Sequence, residues 1–145
     1  MKKENTMKCE FPSLSRNEAL ARSLISSFLI QLDPTVSELA DIKCAVSEAV
    51  TNCIVHGYRN TVGNIILSVS SYGDRTVKIE IKDRGCGIEN IDKAMEPLYT
   101  TDPDGERSGM GFTVMESFCD RVRVISKKGK GTKVTLIKKL TFLDT

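Results

Sequence analysis

The chain has 145 residues, 40% of them hydrophobic and 28% charged, which suits one globular domain over residues 1–145 and excludes disorder as its main state. Lysine and arginine number 21 against 19 aspartate and glutamate, so the net charge of +2 supplies no bulk field for nucleic acid or an anionic membrane, and any anion site is local. The five cysteines are odd in number and widely spaced, the single His56 cannot complete a zinc set, no secretory leader opens the chain, and no apolar run reaches the roughly 20 residues of a membrane span. Together these point to a soluble, cytoplasmic protein with reduced thiols.

In chain order, Met7 to Phe11 alternate loosely and stop at Pro12, which predicts a short first strand. Ser15 followed by Glu18 has the capping-box spacing, and Leu20, Leu24, Phe28 and Leu32 recur at every fourth position beside Ala21, Ile25 and Leu29, predicting a helix from about Ser15 to Leu32. A second helix follows, with Asp33 as N-cap and Pro34 at the first helical position. Its apolar side is Val36, Leu39, Ile42, Val46, Ala49, Val50, Cys53 and Ile54, and Gly57 is placed to end it. From Asn64 the period changes to two. Ile65, Leu67 and Val69, a Gly73-Asp74 turn, then Val77, Ile79 and Ile81 predict an antiparallel hairpin. Glu89 to Gly109 is rich in turn formers and predicts a long lid-like loop, with a short helical possibility around Ile91 to Met95. Gly109 to Cys119 then reads as helix, and Val122 to Ser126 with Thr132 to Leu140 as a second hairpin around Lys128-Gly129-Lys130-Gly131. Helices grouped against such strands give an α+β, two-layer α/β sandwich whose sheet is mixed but mostly antiparallel, with the helices on one face.

Three groups of residues carry chemistry. On the second helix Glu48 and Asn52 lie four residues apart, hence on one face, with His56 another turn along. Magnesium favours oxygen ligands, keeps several waters and is held by few protein groups beside substrate phosphates, so Asn52 suits it as a single ligand while Glu48 is left to act as base. Glu and Asn are also common on solvated helix faces, and the pair alone decides little. Second, after the strand ending at Lys82, Asp83-Arg84-Gly85-Cys86-Gly87 opens with an acceptor carboxylate, for which an adenine amino group is a natural donor, followed by glycines that admit close approach to the backbone. Third, Gly109-Met110-Gly111 opens a helix, where exposed N–H groups favour phosphate, and Arg107 just before it is a candidate for the terminal phosphate charge.

Helical S-E-A-V-T-N-C-I-V-H-G, strand-end D-R-G-C-G-I, the lid, S-G-M-G-F and the closing G-T-K-V-T-L occur in an order that resembles the GHKL, or Bergerat-fold, ATP-binding superfamily of histidine kinases, gyrase-type ATPases and anti-sigma serine kinases. Within it the L-S-R-N-E helix start, Q-L-D-P-T and E-R-S-G-M-G-F are most similar to the sporulation anti-sigma serine-protein kinases, over essentially the whole chain. The resemblance implies that Asn52 binds Mg²⁺ and that Glu48 is the catalytic carboxylate. It further implies that Asp83 holds the adenine amino group of ATP or ADP with Thr132 supporting that side, that Gly85 and Gly87 shape the base pocket, that Gly109 and Gly111 shape the phosphate loop, and that Arg107 meets the terminal phosphate. Also implied are a sigma factor as the sequestered partner, a serine on a small anti-anti-sigma (STAS-type) protein as phosphoacceptor, and a homodimer.

Phosphoryl transfer needs chiefly positioning and charge stabilisation, which assigns Mg²⁺ and Arg107 to the phosphate and Glu48 to the attacking hydroxyl. Two other readings are a stand-alone ATPase, with Glu48 orienting water, and a nucleotide-gated sequestration module with little catalysis. A complete histidine kinase is disfavoured because no phosphoacceptor helix pair precedes the ATP-binding residues, and His56 reads as a helix-end residue. Cys86 reads as an inert small residue near the pocket and Lys127-Lys128-Gly129-Lys130 as a solvated turn, while the polar flank around Arg16 and Arg22 is a candidate partner surface.

Overall fold

The computed structural model describes residues 2–88 and 111–141. The elements run β1 (Lys3–Pro12), α1 (Asn17–Ile30), α2 (Val36–Asn52), a π-helical turn (Cys53–Gly57), β2 (Asn64–Tyr72), β3 (Thr76–Asp83), α3 (Gly111–Phe118), β4 (Arg121–Lys127) and β5 (Gly131–Lys139). The strands form one sheet in the order β1-β2-β3-β5-β4. The lid expected from Glu89 to Gly109 lies outside the described residues.

The period of two does what the alternation predicts. Ile65, Leu67, Val69, Val77, Ile79, Ile81, Val134 and Leu136 are all buried, whereas Lys78, Glu80 and Lys133 on the intervening positions pair with one another on the other face. Against the buried face α1 sets Ala21, Ile25, Phe28 and Leu29, α2 sets Ile42, Ala45, Val46, Ala49 and Val50, and α3 sets Phe112 and Met115. The result is the expected two-layer α+β sandwich, with α2 packed between α1 and α3. The sheet departs from expectation in one respect, since every pairing among the described strands is antiparallel. β3 and β4 do run the same way, but β5 lies between them and pairs with both, so the parallel relationship carries no hydrogen bonds.

Both helix starts differ from the sequence expectation. Ser15 and Glu18 form no capping box; the N-cap is Arg16, in right-handed helical geometry and without a side-chain cap. Tight turns precede it, with Asn17 N–H reaching Leu14 O at 2.9 Å and Glu18 N–H reaching Ser15 O at 3.3 Å, so no extended residue is left to cap. Glu18 turns instead to Arg22 at 2.8 Å and to the Ser47 hydroxyl. At α2, Asp33 takes a left-handed φ of 55° to close the previous turn and is no N-cap. Thr35 is the cap: its hydroxyl accepts from Glu38 N–H at 3.0 Å while Glu38 Oε1 accepts from Thr35 N–H at 2.9 Å, a capping box two residues downstream of the expected start. Consequently Val36, expected on the apolar side, is 88% exposed at the first turn, and Leu20 on α1 is half-exposed while Ala21 and Ile25 carry the core stripe. β1 is longer than predicted because its register continues from Phe11↔Ile65 through Met7↔Val69 to Lys3↔Tyr72.

Candidate functional site

α2 delivers Glu48 and Asn52, both half-buried and one turn apart on the same face. Beyond Asn52 the helix does not run on regularly to Gly57 as expected. It widens into the π turn, in which Tyr58 N–H bonds Cys53 O at 2.9 Å, five residues back. The wider turn takes His56 off the Glu48–Asn52 row, and its carbonyl oxygen accepts from the Cys86 thiol at 3.0 Å.

β3 delivers Asp83. Its odd-numbered position continues Val77, Ile79 and Ile81, so the alternation carries a carboxylate onto the core face, where it is 4% exposed. Gly85 N–H donates to Asp83 Oδ1 at 2.8 Å, turning the chain immediately after the strand. Burial raises the Asp83 carboxyl above its ordinary value, while bonds from the Gly85 N–H, the Cys53 thiol and the Thr132 N–H hold it back. Cys53, itself 3% exposed, is pushed far up by burial and then by the Asp83 charge, so it remains a thiol and a donor to that carboxylate. A side chain at position 57 would also touch the carboxylate, since a Cβ there would lie 3.0 Å from both Asp83 Cγ and Oδ2.

Thr132 is the cross-strand partner of Asp83 on β5 and shares its face of the sheet. Its hydroxyl bonds Ser126 Oγ at 2.7 Å; Ser126 Oγ also donates to Gly131 O at 3.0 Å and accepts from Ile88 N–H at 2.7 Å. Because Ser126 has one proton and gives it to Gly131, Thr132 is the donor between the two hydroxyls and keeps its own lone pairs available. The loop after Asp83 is thereby clamped from both sides. Cys86 N–H bonds Gly57 O at 2.9 Å and Gly129 N–H bonds Cys86 O at 2.7 Å.

The two glycines of the box answer chiefly to this docking. A Cβ on Gly85 would stand 2.1 Å from Gly57 O, and one on Gly87, whose φ is +74°, would stand 2.1 Å from Lys127 O. Gly111 is the first residue of α3. Arg107, Gly109, and the lid Thr and Ser residues lie outside the described residues. A groove of about 410 Å³, lined by Tyr58, Arg59, Val62, Arg84 and Cys86 among others, runs behind the box and does not include Glu48, Asn52 or Asp83. A second, of about 330 Å³, opens at Arg22, Ser23, Ser26, Ser27 and Lys43, on the flank singled out from sequence; there Arg22 is held by Glu18.

The described residues thus hold a buried carboxylate at the end of a central strand and, on α2, a helix face bearing one carboxylate and one amide. Sequence reasoning singled out Glu48, Asn52, Asp83 and Thr132. It took Gly57 only as a helix stop and did not find Cys53, Tyr58 or Ser126 as neighbours of Asp83 and the loop that follows it. For Ser126 a signal exists, because its parity with Val122 and Val124 turns it inward. The contacts of Gly57 and Tyr58 depend on the π turn, which no spacing announces.

Residues 11–138 match the family model described as Histidine kinase-like ATPase domain. The Anti-sigma F factor of Clostridium acetobutylicum is 55% identical over 97% of this chain and 98% of its own length. Among solved structures, the RsbU and RsbW domains of Rv1364c from Mycobacterium tuberculosis superpose with a TM-score of 0.69 at 20% identity, covering 94% of this chain and 33% of that one. Full-length ShkA in complex with AMPPNP gives 0.61 at 15% identity, covering 90% of this chain and 31% of that one. At those identities the two structures speak for the fold.

Proposed function

This chain belongs to the histidine kinase-like ATPase family and, within it, to the anti-sigma F factors, and from that premise we propose that it binds Mg-ATP, sequesters a sigma factor and phosphorylates a serine of that factor's anti-anti-sigma antagonist. The observation that carries the nucleotide part is the enclosed Asp83, an acceptor-only carboxylate set beside Thr132 at the strand end and approached by the α2 helix terminus. Such a group suits a planar base that offers an amino donor. Asp83 accepts the adenine amino group, and Thr132, with lone pairs to spare, supports the same edge of the base.

At the other end Glu48 takes the proton of the attacking serine hydroxyl, a role that contributes typically 10²–10⁴-fold. Asn52 would hold Mg²⁺ through its amide oxygen. An amide oxygen suits an ion held by few protein ligands alongside phosphate and water. When bound, the ion supplies charge neutralisation at the phosphates. Gly109, Gly111 and Arg107 are assigned to the phosphate loop and terminal phosphate, and Gly85 and Gly87 to the shape of the base pocket. The residues form a single domain that acts as a cytoplasmic homodimer. The flank at Arg22 is the assigned partner face.

The decisive experiment incubates the purified protein with Mg-ATP labelled on its terminal phosphate, with and without a candidate anti-anti-sigma protein. Label is expected on a serine of that protein and is expected to be lost in Glu48→Ala. Label only in free phosphate would replace the kinase with an ATPase, and bound, unchanged ATP would leave a nucleotide-gated sequestration module.

A further inference from the structure

Tyr58 follows directly on the π turn and is 7% exposed. Its ring lies over Gly63, where a Cβ would stand 2.2 Å from Tyr58 Cε1, so the close fit requires glycine there. The hydroxyl donates to Asn64 O, at the start of β2, at 2.6 Å, and accepts from Arg84 N–H, the residue after Asp83, at 2.7 Å. One oxygen thus serves as donor and acceptor at once, tying the end of the α2 segment, the first residue of β2 and the base-reading loop together. Next to it, Gly57 O takes the N–H of Cys86. The amides at 84 and 86 are therefore held by residues 58 and 57, which leaves the amide between them, at Gly85, directed onto Asp83 Oδ1.

We propose that Tyr58 is a positioning residue for base recognition: its hydroxyl, through Arg84 N–H, sets the peptide that aims the Asp83 carboxylate at the amino group of the base. The proposal rests on the assignment of Asp83 to that group. Phenylalanine keeps the ring packing but leaves Arg84 N–H and Asn64 O without their partner, so the loop reorients to satisfy them and the carboxylate turns with it. The loss falls on the amino contact and not on nucleotide binding in general.

The test measures equilibrium binding of two ligands, ATP and purine riboside triphosphate, which has the same ring without the amino group, to the full chain and to Tyr58→Phe. The parent is expected to prefer ATP, and the variant to lose about ten-fold in ATP affinity while its affinity for the amino-free analogue changes by less than about two-fold. Equal weakening of both ligands, or no weakening of either, overturns the positioning role. A parent that does not distinguish the two ligands overturns the Asp83 assignment itself, and the proposal with it. Should Tyr58→Phe fail to fold, the Arg84 amide resonance of the parent decides: ATP is expected to shift it more than the analogue does, and equal shifts overturn the proposal.

Discussion

Asp83 is enclosed by groups from three parts of the chain, the Gly85 N–H beside it, the Cys53 thiol of the π turn and the Thr132 N–H of β5. Glu48 and Asn52, in contrast, project half-buried from a single helix face whose backbone is already satisfied within α2. On the proposed assignment the base end is thus built largely from backbone donors and close glycine contacts, whereas the transfer end consists of two side chains of one helix.

The largest effect that would sharpen this contrast is on transfer. Glu48→Ala is expected to lower the phosphorylation rate by about 10²–10⁴-fold with ATP affinity largely retained, whereas Asn52→Ala is expected to lose the Mg²⁺-dependent part of ATP affinity. Single-turnover transfer and calorimetric titration with and without Mg²⁺ check both, and equal defects in the two variants would sink the division of roles. At the base end Gly85→Ala is expected to cost about 1–3 kcal/mol in urea denaturation as well as ATP affinity, because its Cβ would meet Gly57 O. Were that glycine needed only by ligand, stability would not change.

The enclosure of Asp83 also has a pH signature. Its folded-state carboxyl lies above the ordinary 3.8, so between the two values the folded state binds more protons than the unfolded one, and the Asp83 contribution to stability declines as pH rises through that window. Relative to Asp83→Asn, the parent should therefore gain stability on acidification from neutral pH through the window, as read from denaturation midpoints. A difference independent of pH would mean that the carboxylate titrates normally. The smallest effect concerns the start of α2. Thr35→Ala is expected to cost about 1 kcal/mol and Ser15→Ala close to nothing, reversing the order expected if the Ser15–Glu18 spacing formed the box.

That last pair also shows where the sequence was legible. Alternation from Ile65 to Ile81 is a period that survives tertiary packing, because burying one face of a sheet leaves a strand no other register; the same parity carries Asp83 inward, although the sequence expectation ended the strand at Lys82. The i, i+4 spacing of Glu48 and Asn52 is likewise a property of one helix. Two capping boxes of the same pattern, Ser15–Glu18 and Thr35–Glu38, cannot be ranked by spacing: the outcome turned on Asp33 adopting a left-handed conformation and on Glu18 reaching Ser47, 29 residues away. The π turn and the Gly57–Gly85 contact were illegible for the same reason, since each is decided by what docks against it.

The insertion of β5 between β3 and β4 has a consequence in time. Of the five described strands, the one at the centre of this half of the sheet is made last, so during vectorial synthesis β3 is released with one edge bare and Asp83 without its neighbour Thr132. A nascent chain halted before Gly131 holds the whole of the α2 face yet lacks the Asp83–Thr132 pairing to which the base is assigned. Capture on immobilised ATP is therefore expected to separate finished chains from stalled ones.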